Sequence, residues 1–114
     1  MDNIKDDTYY IDRMFTDMAF IVRQMESIDP DAFAENEILQ DSMMFRLIQI
    51  SENARKLSDA YKDRHPAIPW TAIYGLRNRI VHDYGNVEMT IIFDTLKNDI
   101  PVLMKNMQEQ LRKN

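Results

Sequence analysis

Apolar residues recur at steps of three and four along most of this chain, and that period constrains its fold more than any other feature. Ile11, Met14, Phe15, Met18, Ile21, Val22, Met25 and Ile28 form one such stripe. The pattern marks a helix with a single buried face. It predicts a first helix from about Asp6 to Ser27, stopped by Asp29-Pro30. A short extra turn can follow over residues 31–36, with Asp31 as its cap. Met44, Leu47, Ile48, Ile50, Ala54, Leu57 and Tyr61 give the buried face of a second helix, from Ile38 or Asp41 to Tyr61. The stretch Asp63–Pro69 contains two prolines and reads as a connector.

Pro69 suits the first position of a third helix, where its missing N–H costs nothing. Trp70, Ile73, Leu76 and Ile80 form its apolar side. Gly75 inside that pattern costs about 1 kcal/mol relative to Ala, which close packing on a neighbour would explain. Gly85 suits a left-handed residue just past the helix end. A fourth helix runs from about Glu88 to Leu111 on Met89, Ile92, Phe93, Leu96, Ile100, Leu103, Met104 and Met107. Pro101 sits inside it and should kink or divide it.

Four helices with short connectors predict an all-α fold, an antiparallel up-and-down bundle of four to five helices in one domain over residues 1–114. Two Gly and four Pro supply too few turns for hairpins or a Greek key. The absence of Cys excludes a disulfide scaffold and a thiolate zinc site. Only His65 and His82 can offer imidazole, and the carboxylates form no recognisable ligand array, so no metal or cofactor is expected. The segment MDNIKDDTYY is too polar for a signal peptide, and no apolar run approaches the roughly 20 residues that cross a bilayer. A cytoplasmic protein without a membrane partner is the expectation.

The net charge of −5 disfavours general nucleic-acid binding. Its distribution tells a different story. Residues 1–54 carry a net of −8, residues 55–82 a net of +4, and residues 83–114 a net of −1. The positive stretch comprises Arg55, Lys56, Lys62, Arg64, Arg77 and Arg79 against Asp59 and Asp63. It is either a solvated helix end or a local anion-binding surface on an acidic body.

The most chemically loaded segment is Leu76-Arg77-Asn78-Arg79-Ile80-Val81-His82-Asp83-Tyr84-Gly85. Arginine binds phosphate in a planar bidentate fork, and histidine titrates near neutral pH. On a continuous helix Asn78 and Arg79 share the side of His82. Arg77 lies about 140° away at roughly 100° per residue. Arg77 and His82 converge only if the helix ends or bends, or if a second chain supplies one of them. Taken singly, each residue also has an ordinary reading. His82 can simply stabilise a helix C-terminus, Arg77, Arg79 and Glu52 can be solvated charges, and Tyr84 can be a rim aromatic.

Together these residues resemble a known pattern. Arg77-Asn78-x-x-x-His82 is similar to the HEPN motif, and the extended Arg77-x4-His82-x-Tyr84 resembles the HepT toxins of the HEPN/minimal-nucleotidyltransferase toxin–antitoxin systems. The similarity extends to ISENARKLS at Ile50–Ser58, to HPAIPWTAIYGLRNRIVHDYG at His65–Gly85 and to Asp99-Ile100-Pro101, and covers about residues 44–105. Ser51 departs from it, because relatives often have Gly before the acid that is Glu52 here.

The resemblance implies a HEPN-like bundle that forms a homodimer or higher oligomer. It implies a metal-independent endoribonuclease with RNA as substrate and Arg77 and His82 as the catalytic pair. Asn78 would be the motif's polar residue, with Arg79, Asp83 and Glu52 as candidate supports. It also implies a cognate minimal-nucleotidyltransferase antitoxin, which would silence the toxin by adding AMP to Tyr84. The alternative is a non-catalytic helical module that binds a nucleotidyltransferase and a nucleotide, with Arg77 and Arg79 gripping phosphate. A purely structural oligomer leaves the Arg-Asn-x-x-x-His-x-Tyr cluster without a purpose.

Overall fold

A computed structural model describes residues 5–81 and 89–112. The described residues form helices and turns: α1 (Asp7–Met25), α2 (Pro30–Ala34), α3 (Glu37–Arg55), α4 (Asp59–Arg64), α5 (Trp70–Val81), α6 (Met89–Asp94), a π-helical turn (Thr95–Asp99) and α7 (Ile100–Arg112). The starts of the first four helices follow from side-chain caps that satisfy otherwise orphaned N–H groups. Asp6 accepts from the Tyr9 N–H at 3.1 Å and Asn36 from the Leu39 N–H at 3.0 Å. The extra turn α2 is capped by Asp29 rather than Asp31. Asp29 Oδ1 accepts from the Ala32 N–H at 2.8 Å, and Pro30 opens the helix.

The second long helix stops earlier than its apolar pattern implies. It ends at Arg55, and Ser58 caps a separate short helix by accepting from the Tyr61 N–H at 3.1 Å. The cause is tertiary. The Ser58 N–H donates to Asp7 Oδ1 at 2.8 Å and the Ser58 hydroxyl to Asp7 Oδ2 at 2.7 Å, tying this break to the first turn of α1. Leu57 remains buried and Tyr61 half-buried across the break, so the period carries no trace of it.

The long helices pair in opposite directions. Asp17 near the middle of α1 meets Arg46 in α3 at 2.8 Å, while the start of α1 meets Ser58 beyond the end of α3. Lys97 in the π turn donates to the Met25 carbonyl at the end of α1 at 2.6 Å. Met14, Met18, Ile21 and Met25 of α1, Met43, Leu47 and Ile50 of α3, Ile73, Leu76 and Ile80 of α5, and Ile92, Leu96, Ile100 and Met107 of the last helical stretch are all buried. Each such side chain contributes on the order of 1.5–3 kcal/mol. The expected stripes are therefore the core, with Phe15, Val22, Met44 and Ile48 half-buried at its margins. The fold is an all-α helical bundle. No helix among the described residues is long and apolar enough to cross a membrane.

The break expected at Pro101 takes the form of a wide turn. A proline ring crowds the preceding helical turn and offers no N–H. Here the turn before it is π-helical, and the Ile100 N–H reaches back five residues to the Thr95 carbonyl. Helical backbone thus runs from Met89 to Arg112 with one wide turn inside it.

Candidate active site

The motif helix is α5, and its packing decides where its polar residues stand. The Pro69 carbonyl accepts from the Ile73 N–H at 3.0 Å, and the Trp70 indole donates to the His65 carbonyl at 3.0 Å. Ile73, Leu76 and Ile80 face the core. With that side fixed, Arg77 and Arg79 project from flanks about 200° apart.

Arg77 lies on the flank shared with α3. Its Nε meets Glu52 Oε2 at 3.2 Å, with both side chains more than a third exposed. An ion pair this open adds at most about 1 kcal/mol to stability. Its greater effect is to aim the guanidinium, whose two terminal nitrogens have no bonded partner among the described residues. Ser51, the neighbour of Glu52, is fully buried and donates from Oγ to the Tyr74 carbonyl at 3.0 Å. Consecutive residues of α3 therefore grip α5 twice, on its backbone from within and on Arg77 from without. The hydroxyl that replaces the expected Gly adds a hydrogen bond between these helices.

Arg79 goes the other way. Its Nη1 donates to Thr95 Oγ1 at 2.6 Å and to Asp99 Oδ2 at 3.2 Å, while the Thr95 hydroxyl donates to the Ile91 carbonyl at 2.9 Å. Arg79 thus ties α5 to the π turn and closes the bundle on that side. Asn78 is exposed between the two arginines. His82, Asp83 and Tyr84 lie outside the described residues. The helix α5 continues through Val81.

Among the described residues Gly75 does not serve close packing. A Cβ built there would meet nothing within 4 Å. His65 is buried, with its ring 4.7 Å from that of Tyr61. Among the described residues no three His, Asp or Glu side chains are grouped as metal ligands.

Three residues beside this pair escaped the motif reading. The Tyr74 ring, one turn before Arg77, carries the Arg55 guanidinium 4.8 Å and the Lys62 ammonium 5.2 Å from its centroid. Lys62 Nζ also donates to the Tyr74 hydroxyl at 2.7 Å. Their spacing was the available signal. Arg55 follows Glu52 by three and Tyr74 precedes Arg77 by three, so both stand one helical turn along the same flank. An aimed guanidinium with further cations one turn away is suited to holding a phosphodiester and the charge that develops on it.

Comparison with known proteins identifies the family. The family model described as ribonuclease HepT-like matches residues 14–110. A Caldanaerobacter subterraneus protein named a "putative RNase" is 27% identical over 104 residues, covering 91% of this chain and 93% of its own. A "probable ribonuclease HepT" of Thermococcus cleftensis is 29% identical over 101 residues, covering 85% and 91%. A "putative RNase" of Methanocaldococcus jannaschii is 24% identical over 88 residues, covering 77% and 81%. No solved structure matches the chain. With the family model spanning most of its length and the motif arginine held on α5 by a carboxylate of α3, this chain belongs to the HepT-like ribonuclease family.

Proposed function

We propose that this chain is the toxin of a toxin–antitoxin pair, an endoribonuclease that cleaves RNA with Arg77 and His82 and needs no metal. The observation that carries the reading is the Arg77–Glu52 pair on the motif helix of a HepT-like chain. The neighbouring 2′-hydroxyl of the RNA attacks the phosphorus, and the bond to the 5′-oxygen breaks. A base takes the hydroxyl proton, an acid protonates the departing 5′-oxygen, and a cation balances the charge of the phosphorane between the two events. Arg77 supplies the cation. His82 supplies the proton transfer, since imidazole serves as base when neutral and as acid when charged. One chain offers one motif histidine, so a two-fold homodimer that places two copies of Arg77 and His82 in one cleft meets the need for both. Glu52 holds Arg77 for this task, Asn78 is the motif's polar residue, and Asp83 stands next to the histidine.

Silencing follows from the same arrangement. AMP added to Tyr84 by a cognate minimal nucleotidyltransferase sets a bulky phosphate two residues from His82, where it repels the RNA backbone and blocks access. Incubation of total RNA with the purified protein at neutral pH in EDTA tests the reading. Wild type cleaves, and His82→Ala and Arg77→Ala lose at least about a hundred-fold in rate while keeping their helical circular dichroism. Glu52→Gln keeps the hydrogen bond but loses the ion pair, and falls only about three- to ten-fold. Absence of cleavage by unmodified, dimeric wild type would overturn the proposal.

A further inference from the structure

The positive stretch found in the sequence becomes a specific cluster in the fold. Arg55 at the end of α3 and Lys62 in α4 both converge on Tyr74 of α5. Neither cation forms an ion pair with a carboxylate among the described residues, although Asp7 lies near enough to Lys62 to feel its charge. Two like charges gathered on one ring repel each other, and a shared anion relieves that repulsion. Because the Lys62 ammonium already donates to the Tyr74 oxygen at 2.7 Å, the phenol's own hydrogen remains available to donate elsewhere. A guanidinium and an ammonium thus flank one phenol, the first 4.8 Å from its ring centre and the second on its hydroxyl. This cluster lies one helical turn, about 5.4 Å, from the Arg77–Glu52 layer along the same α3–α5 seam.

We infer that Arg55, Lys62 and the Tyr74 hydroxyl form a phosphate subsite for the RNA strand adjoining the scissile phosphate. It sets the direction in which the substrate runs, along the seam toward α4. Lys62 and Tyr74 also line an open groove with Asp59, Asp63, Pro66 and Trp70. Asp59 and Asp63 repel phosphate beside them, so the cations, rather than the groove at large, would hold it. Lys56 and Arg64 of the same basic stretch lie 5.8 and 5.6 Å from the Tyr10 and Tyr61 ring centres. The subsite rests on the ribonuclease reading and deepens it by naming how the substrate is held.

The test uses His82→Ala protein, so that bound RNA is not consumed, and a fluorescent single-stranded oligouridylate. Arg55→Ala and Lys62→Ala in that background each weaken binding about ten-fold, and Tyr74→Phe weakens it about two- to three-fold. Each charge removed lowers the slope of log affinity against log salt by about 0.7. In the otherwise wild-type enzyme the double variant Arg55→Ala/Lys62→Ala raises KM much more than it lowers kcat. Unchanged RNA affinity and salt slope in a folded double variant that still cleaves would overturn the subsite alone. If that variant instead loses self-association while RNA binding is unchanged, the cluster is a protein interface and the inference fails. If wild type neither cleaves nor binds RNA, the ribonuclease reading falls and the subsite with it.

Discussion

At the scale of single residues, the sequence marked which side chains mattered but not whom they would meet. Arg77, Asn78 and Arg79 are consecutive, yet they serve three surroundings. Glu52 holds Arg77, Thr95 and Asp99 hold Arg79, and Asn78 faces water. Helical spacing gives the angle between two residues and says nothing of which neighbour lies on each flank, because that depends on contacts distant in sequence. Gly75 illustrates the same limit. A glycine inside a helix invites an explanation by close approach, but the space beside it is open. Gly75→Ala is therefore expected to stabilise the protein by roughly 0.5–1 kcal/mol through helix propensity and a less flexible unfolded chain. Urea unfolding at neutral pH measures it. A loss of stability would mean that something occupies the space beside α5. A gain in stability with a loss of RNA cleavage would place substrate or a second copy there.

At the scale of elements, the apolar period located every long helix, since a continuous stripe has only one way to bury itself. It failed at the two places where hydrogen bonding overrides it. One is the end of α3, where Asp7 takes both the N–H and the hydroxyl of Ser58 and so separates α3 from α4. The other is the π turn ahead of Pro101, where the proline announced a disturbance without specifying its form. The Asp7 joint carries a pH signature. Its carboxyl is held below the ordinary carboxylate range, first by the backbone hydrogen bond from Ser58, then by the Ser58 hydroxyl and the nearby Arg64 and Lys62, against a partly opposing effect of burial. A group with a lowered pKa in the folded state adds stability above its unfolded value of about 3.9, and that stability disappears as pH falls through the folded value. Wild type should thus lose stability on acidification below about pH 4 more steeply than Asp7→Asn. Parallel denaturant curves at pH 6 and pH 3 make the comparison, and equal pH slopes would remove Asp7 from the account.

At the scale of the whole molecule, the bundle presents the motif helix between two unlike neighbours. The α3 flank offers the aimed arginine and the cation cluster. The other flank, tied by Arg79, borders an apolar groove lined by Ile73, Leu76, Val102 and Leu103. In the sequence the basic stretch of residues 55–82 stood out against an acidic body, as a solvated helix end or an anion-binding surface. It did not foretell that Arg79 would be spent on internal tethering while Arg55 and Lys62 gathered on Tyr74. If two copies of Arg77 and His82 make one cleft, cleavage per protomer should fall on dilution through the dimer dissociation constant. Sedimentation and initial rates, measured over the same concentration series, should then fall together. Constant specific activity in a demonstrably monomeric sample would show that one chain suffices.

The wide turn at Thr95–Asp99 also bears on what change of length the last helical stretch can absorb. A π turn absorbs one additional residue without rotating the helix on either side, so Ile92 before it and Met107 after it both remain in the core. One residue could therefore be deleted from the turn, restoring an ordinary helix, without turning either stripe away from the core. Thr95 and Asp99, four residues apart, span that turn and share the Arg79 guanidinium, so the deletion would disturb this anchor rather than the core.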